Sequence, residues 1–272
     1  MSLLVKDLYK FLENLAPLQI AEPRDNNGLQ IGSYNSSVSG ILLTVDVTKN
    51  AIFYALEKNL NLIISHHPLI FNPLSCILKD ELKGELIYLL IKHDLNLISW
   101  HTPLDKISEG VSEAFLKALN FESSDFIIKE EKFNQKFGLG RVVYLKKSIK
   151  LQDLAEKISH IIDSWIMVVG DLDSSIDSFG FCGGSGSFLK DELKKIGVYT
   201  LITSDVKYHT AKDSLEEGFN FIIIDHGLSE SFILPVLKDK LQKFFSEKNV
   251  VLPIEIYKEP SPYKIFKNKR RD

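Results

Sequence analysis

The chain has 272 residues, 44% of them hydrophobic and 25% charged, with a formal net charge of −3. That length buries a substantial core, in one large domain or two moderate ones, and two lobes are expected. The balance excludes a disordered or disulfide-dense chain, and it provides no global attraction to nucleic acid or an anionic membrane.

The first 15 residues place apolar side chains at helical spacing. Lys6, Asp7, Lys10 and Glu13 break the stretch, so it lacks the uncharged core of a signal peptide. No apolar run approaches the ~20 residues needed to cross a bilayer. The turn-rich Pro23-Arg24-Asp25-Asn26-Asn27-Gly28 reads as a loop. An alternation follows: a strand over 41–45 ending at Asp46, a helix over 49–58, a strand over 60–65, a helix over 82–92, a strand over 95–100 and a helix over 111–119. Strands alternating with helices predict right-handed parallel crossovers.

From 126 to 147 the pattern turns charged and alternating, with a strand over 142–145, which places a domain boundary near 125. A second αβ series runs through a helix over 151–162, strands over 165–169 and 178–181, a helix over 187–196 and a strand over 199–203. The strand over 219–224 repeats the grammar of the first half. The expected fold is therefore α/β and two-lobed, a mostly parallel sheet flanked by helices with a second α/β lobe inserted. Residues 1–125 and 220–272 would form the metal-binding lobe and 126–219 the insertion. The basic tail of Lys264, Lys267, Lys269, Arg270 and Arg271 reads as a solvated terminus.

Three apolar runs end in histidine: one at His66 and His67, one at His101, one at His226. Ligands of parallel sheets bind beyond the carboxyl ends of the strands, so these four histidines are expected on one edge of one sheet. Asp105 and Glu230 follow His101 and His226 at the same spacing, completing an imidazole and carboxylate set suited to transition metals. His66 and His67 should project in roughly opposite directions, serving two metals or leaving one of them as a supporting residue. Asp25 and Asp46 either cap local turns or reach a substrate, and His209 either contacts substrate or sits in the first turn of a helix. Gly183-Gly184-Ser185-Gly186 could present backbone N–H groups to an anion. His93 and His160 read as helix-face residues. Cys76 and Cys182 are too few and too isolated for a disulfide framework or a thiolate zinc site, which points to a reducing, cytoplasmic setting.

Taken in order, these residues resemble the NIF-three-like family, whose members are often labelled GTP cyclohydrolase I type 2 homologues. The resemblance spans nearly the whole chain. It runs through Asp25-Asn26-Asn27-Gly28-Leu29-Gln30, Ser65-His66-His67-Pro68-Leu69, His101-Thr102-Pro103-Leu104-Asp105, Cys182-Gly183-Gly184-Ser185-Gly186, Lys207-Tyr208-His209, and Asp225-His226 through Glu230. It implies a toroidal homohexamer of two-lobed subunits, each with a dinuclear divalent-metal site. His66, His67, Asp105, His226 and Glu230 would be the ligands, with Glu230 bridging. The chain departs from the family pattern at Arg24, at Ser204-Asp205 and at Asp225.

A dinuclear site with nitrogen and oxygen donors suits hydrolysis. The resemblance implies attack at C8 of the guanine ring of GTP, with His101 or His209 moving protons. A phosphoesterase acting on nucleotides or nucleic acid and a non-catalytic metal-binding scaffold are the alternatives. Zinc, iron, manganese and nickel all suit the donors.

Overall fold

The computed structural model describes residues 3–132 and 134–266. Of the basic tail, Lys267, Lys269, Arg270 and Arg271 lie outside the described residues. The chain forms two units. One comprises 1–111, 130–137 and 231–259; the other comprises 112–129, 138–230 and 260–272.

Unit 1 is built on a five-stranded sheet in the order β1-β4-β3-β2-β11. Its strands are β1 (Gly28–Ile31), β2 (Ile41–Thr44), β3 (Leu62–Ser65), β4 (Asn96–Ser99) and β11 (Ile254–Ile256). β2, β3 and β4 are buried at every position, as strands covered on both faces must be, and this is why they read as unbroken apolar runs. They pair in parallel with β11, while β1 pairs antiparallel with β4. The crossovers are α2 (Lys49–Glu57) and α3 (Leu82–Lys92). Thr48 starts α2 by accepting the Ala51 N–H at 3.1 Å, which satisfies one of the orphan donors of the first turn. Leu42, Ile52, Ala55, Ile63, Leu86 and Leu97 belong to the core between sheet and helices.

Unit 2 carries a mixed six-stranded sheet in the order β5-β6-β8-β9-β10-β7. These strands are β5 (Asp125–Lys132), β6 (Gln135–Lys150), β7 (Ile166–Val169), β8 (Ser175–Ser185), β9 (Thr200–Ser204) and β10 (Asn220–Ile224). β8, β9 and β10 are parallel, whereas β6 and β7 run antiparallel to their neighbours. α6 (Leu151–Ser159), α7 (Lys190–Lys195) and α8 (Tyr208–Glu216) follow in chain order. The core includes Val142, Leu193, Leu201, Phe219 and Phe221.

The strand expected to return to the first sheet does not. β10 pairs with β9 and β7, so the strand that ends before His226 belongs to the second sheet and not to the first. An apolar run specifies a strand but not its neighbours, and here the β9-α8-β10 crossover joins sequential parallel strands, the commonest arrangement. After β10 the chain re-enters unit 1 at Ser231, through α10 (Ile233–Glu247) and β11. Similarly, the boundary expected near 125 falls at 111/112, with the tip of the β5–β6 hairpin, 130–137, grouped into unit 1. Among the described residues, no helix is long and apolar enough to cross a membrane, and Cys76 and Cys182 form no disulfide.

Candidate metal centre

In unit 1 the strand register creates the cluster. Thr44 pairs with Ser65, and Ser65 with Ser99, so residues two positions beyond each, Asp46, His67 and His101, emerge at one level. His67 Nδ1 lies 2.8 Å from Asp46 Oδ1. The expected divergence of His66 and His67 does not occur. β3 ends at Ser65, whose hydroxyl donates to the His67 carbonyl at 2.7 Å, and the chain bends back before strand alternation can separate the rings. The His66, His67 and His101 rings therefore lie 5.1–5.4 Å apart between centroids.

Asp25 reaches this cluster because β1 is antiparallel to β4. Residues preceding Gly28 then lie beside those following Ser99. His101 Nδ1 is 2.9 Å from Asp25 Oδ1. The other Asp25 oxygen accepts from Asn27 Nδ2 at 2.7 Å, Thr102 Oγ1 at 2.5 Å and Thr102 N at 3.1 Å. Burial pushes the Asp25 carboxyl up, but the hydrogen bonds from His101 and Thr102, the His101 charge and the Asn27 amide outweigh it, holding the group well below the usual carboxylate range. Asp25, its side chain 2% exposed, is thus committed to holding His101, and Asp46 holds His67. The sequence leaves both between capping a local turn and reaching a substrate; each instead lies against a histidine ring.

α4 (Thr102–Lys106) begins directly after His101, with Pro103 in its first turn, and carries Asp105 back toward the strand ends. Asp105 Oδ1 stands 3.6 Å from His66 Nε2. Behind it Lys106, buried, donates to Glu22 and Glu130 at 2.6 Å each. Burial pushes the Lys106 pKa down, and these two hydrogen bonds outweigh it, giving a net rise. The sequence reading missed Lys106, which carried no motif of its own.

In unit 2, α9 (His226–Glu230) starts two residues beyond β10 and puts His226 and Glu230 on one face, with Nε2 and Oε1 3.3 Å apart. Asp205, following β9, places Oδ2 2.5 Å from His226 Nδ1. Asp225 is buried and ties α9 down: Oδ1 accepts the Leu228 N–H at 3.1 Å, while Oδ2 accepts from Ser261 Oγ at 2.6 Å and Ser164 Oγ at 3.4 Å.

The glycine run 183–186 is not an anion cradle. The Gly184 N–H is donated to Ser229 Oγ and the Gly186 N–H to Thr203 Oγ1. β8 continues through Ser185, with an irregularity between Phe181 and Ser185. Gly184 sits there with φ +64°, and a Cβ at this position would meet Glu230 Oε1 at 2.3 Å and His226 Nε2 at 3.0 Å. The run is the seat of the His226–Glu230 pair. His209 is exposed on the first turn of α8, and its ring contact is with Tyr208. His93 and His160 cap the C-termini of α3 and α6.

The donor set fits a divalent ion. His66, His67 and His101 each offer a ring nitrogen, all within 4.8 Å of one another. Two of those rings have Nδ1 against a carboxylate, which leaves Nε2 facing the cluster, and a carboxylate behind a ligating imidazole is the usual second partner in metal sites. The rings by themselves do not separate His101 from the two expected ligands.

The fold and these clusters define a two-sheet α/β protein with histidine and carboxylate groups able to hold a metal. The chain belongs to the Duf34/NIF3 (NGG1p interacting factor 3) family, whose profile matches residues 3–262. It is similar to a Clostridium acetobutylicum protein named GTP cyclohydrolase 1 type 2 homolog, with 36% identity over 267 residues covering 97% of this chain and 99% of the relative. It is also similar to NIF3-like protein 1 of Drosophila melanogaster, 33% identical over 92% of this chain and 86% of the relative. A crystal structure of a Staphylococcus aureus hypothetical protein superposes with a TM-score of 0.90 at 28% identity, covering 98% of this chain and all of that one.

Proposed function

We propose that the protein is a metal-dependent hydrolase acting on GTP or a related nucleotide, with two divalent cations per subunit held by His66, His67, Asp105, His226 and Glu230. The observation that carries this reading is the histidine triad at the edge of the first sheet, with Asp46 and Asp25 orienting two of its rings. The name of the Clostridium relative supports the substrate class. Bound divalent metal supplies Lewis acidity and polarises the groups of a hydrolytic reaction. The chain's own residues do the rest. Asp46 fixes the tautomer of His67, Asp205 that of His226, and Asp25 that of His101. His101 keeps its Nε2 to move a proton at the reacting carbon. Gly184 leaves room for Glu230 to approach.

Asymmetric use of the histidines follows. His66→Ala and Glu230→Ala should lose metal in elemental analysis, while His101→Ala should keep most of it at saturating concentration and lose turnover. Incubation of metal-loaded protein with a nucleotide panel should release formate from GTP. Phosphate or monoester release would instead make the protein a phosphoesterase, and full metal content in both the His66 and Glu230 variants would overturn the ligand assignment. The working unit is proposed to be a cytoplasmic homohexamer, and a monomeric mass in light scattering would count against that assembly.

A further inference from the structure

Beyond the carboxyl ends of β9 and β10, on the unit that carries His226, lies a cavity of about 400 Å³. This is within the ~300–1,000 Å³ usual for small-molecule sites. Its apolar walls are Trp165, Met167, Val206, Ile223, Tyr263 and Ile265. The β7–β10 pairing sets Ile223 opposite Met167, and Trp165 stands two positions before Met167, hence on the same face. Tyr263 comes from the C-terminal segment, which Ser261 ties to Asp225.

The walls have the geometry of a ring-binding corner. The Trp165 and Tyr263 rings meet edge to face, 5.6 Å apart at 85°. A planar ligand can stack on one ring and present its edge to the other. Met167, 53% exposed, adds a polarizable thioether, which favours aromatic contact. The Trp165 indole N–H is buried and has no hydrogen-bond acceptor among the described residues, a donor left for an acceptor on a ligand.

Two charges stand among these walls. Asp205 Oδ2 accepts from His226 Nδ1, and its Oδ1 is not engaged by any described residue, so one carboxylate touches both the cavity and the candidate metal centre. Lys264 supplies the positive charge.

We infer that this cavity recognises the planar nitrogen heterocycle of the substrate. The ring stacks in the Trp165–Tyr263 corner, its N–H edge faces Asp205, and an anionic substituent is drawn to Lys264. The substrate's place beside His226 rests on the proposed function; the cavity's capacity for a heterocycle rests on its walls alone.

The chain has two tryptophans, and Trp100 is fully buried in unit 1, so Trp100→Phe leaves Trp165 as the reporter. Metal-stripped protein of this variant is titrated with guanosine 5′-monophosphate, adenosine 5′-monophosphate and, as a ringless control, ribose 5-phosphate. Both heterocycles should quench saturably, and the control should not. Tyr263→Ala, at a side chain 59% exposed and so safe for folding, should weaken both by at least about tenfold in calorimetry. Asp205→Asn should weaken the guanosine compound more than the adenosine one, whose ring presents fewer N–H donors. No saturable binding at millimolar heterocycle, equal binding of ribose 5-phosphate, or affinities unmoved by Tyr263→Ala would overturn the inference. Heterocycle binding in protein that takes up no metal would uphold the cavity and overturn the metal reading. Metal uptake without heterocycle binding would do the reverse.

Discussion

In unit 1 the His101 ring rests on Asp25, whose side chain is 2% exposed and whose second oxygen is held by Thr102 and Asn27. In unit 2 the His226 ring rests on Asp205, whose side chain is 49% exposed and for which His226 is the hydrogen-bond partner given by the structure. The first arrangement is locked by antiparallel pairing of β1 with β4, the second by a five-residue helix packed against a glycine. One histidine–carboxylate pair is thus part of the sheet's own hydrogen-bonding scaffold, and the other depends on close packing at a single point. Unit 1 should tolerate changes of packing and resist changes of charge, and unit 2 the opposite.

The strongest way to break this contrast is Gly184→Ala. A side chain at a left-handed φ with Glu230 Oε1 2.3 Å from its Cβ should cost roughly 2–5 kcal/mol in denaturant unfolding. Gly197, also at positive φ but with nothing within 4 Å of its Cβ, is the control: its alanine variant should cost only about 1–2 kcal/mol. Equal losses would show that packing against Glu230 is not the constraint.

Lys106→Met tests the charge side in unit 1. It leaves Glu22 and Glu130 facing each other without their common cation. Their partial exposure keeps the expected loss below the about 3–5 kcal/mol of a fully buried pair. A variant as stable as the wild type would show that the Glu22–Lys106–Glu130 cluster contributes no net stability.

Asp25→Asn and Asp205→Asn compare the two braces directly. Loss of Asp205, which backs the assigned ligand His226, should lower metal affinity by ~10- to 100-fold, and loss of Asp25, which backs the non-ligand His101, should leave most of the metal bound and lower turnover. The Asp25 pKa is depressed in the folded state, so its stabilisation is full above the unfolded value of about 4 and is lost as pH falls below it. Stability curves of wild type and Asp25→Asn should therefore converge on acidification below that point. Curves that stay parallel would remove Asp25 as the buried anchor.

The smallest effect is expected from Ser261→Ala, which deletes its hydrogen bond to Asp225 and the weaker, exposed one it accepts from the Tyr263 N–H, and should cost about 1 kcal/mol in thermal unfolding. A loss of metal on the same change would mean that the C-terminal segment braces α9 more tightly than one bond implies.

The apolar runs before His66, His101 and His226 identified three strands and the residues at their ends, because a strand buried on both faces has an unmistakable composition. Helices over the crossovers were legible from spacing, and the carboxylates at Asp105 and Glu230 from their distance to histidine. α10 and β11 carry no signal that the sequence analysis picks up, although α10, at 15 residues, is the longest helix among the described residues.

Tertiary structure decided the rest. Which sheet received β10, the close approach of the His66 and His67 rings, the commitment of Asp25 to His101, and the role of Gly184 as a seat for Glu230 all depend on partners distant in sequence. Local composition fixes the type and ends of an element because the backbone's preferences are local. Strand order, register and the atom facing a given imidazole come from hydrogen bonds and packing that exist only once the chain has closed on itself.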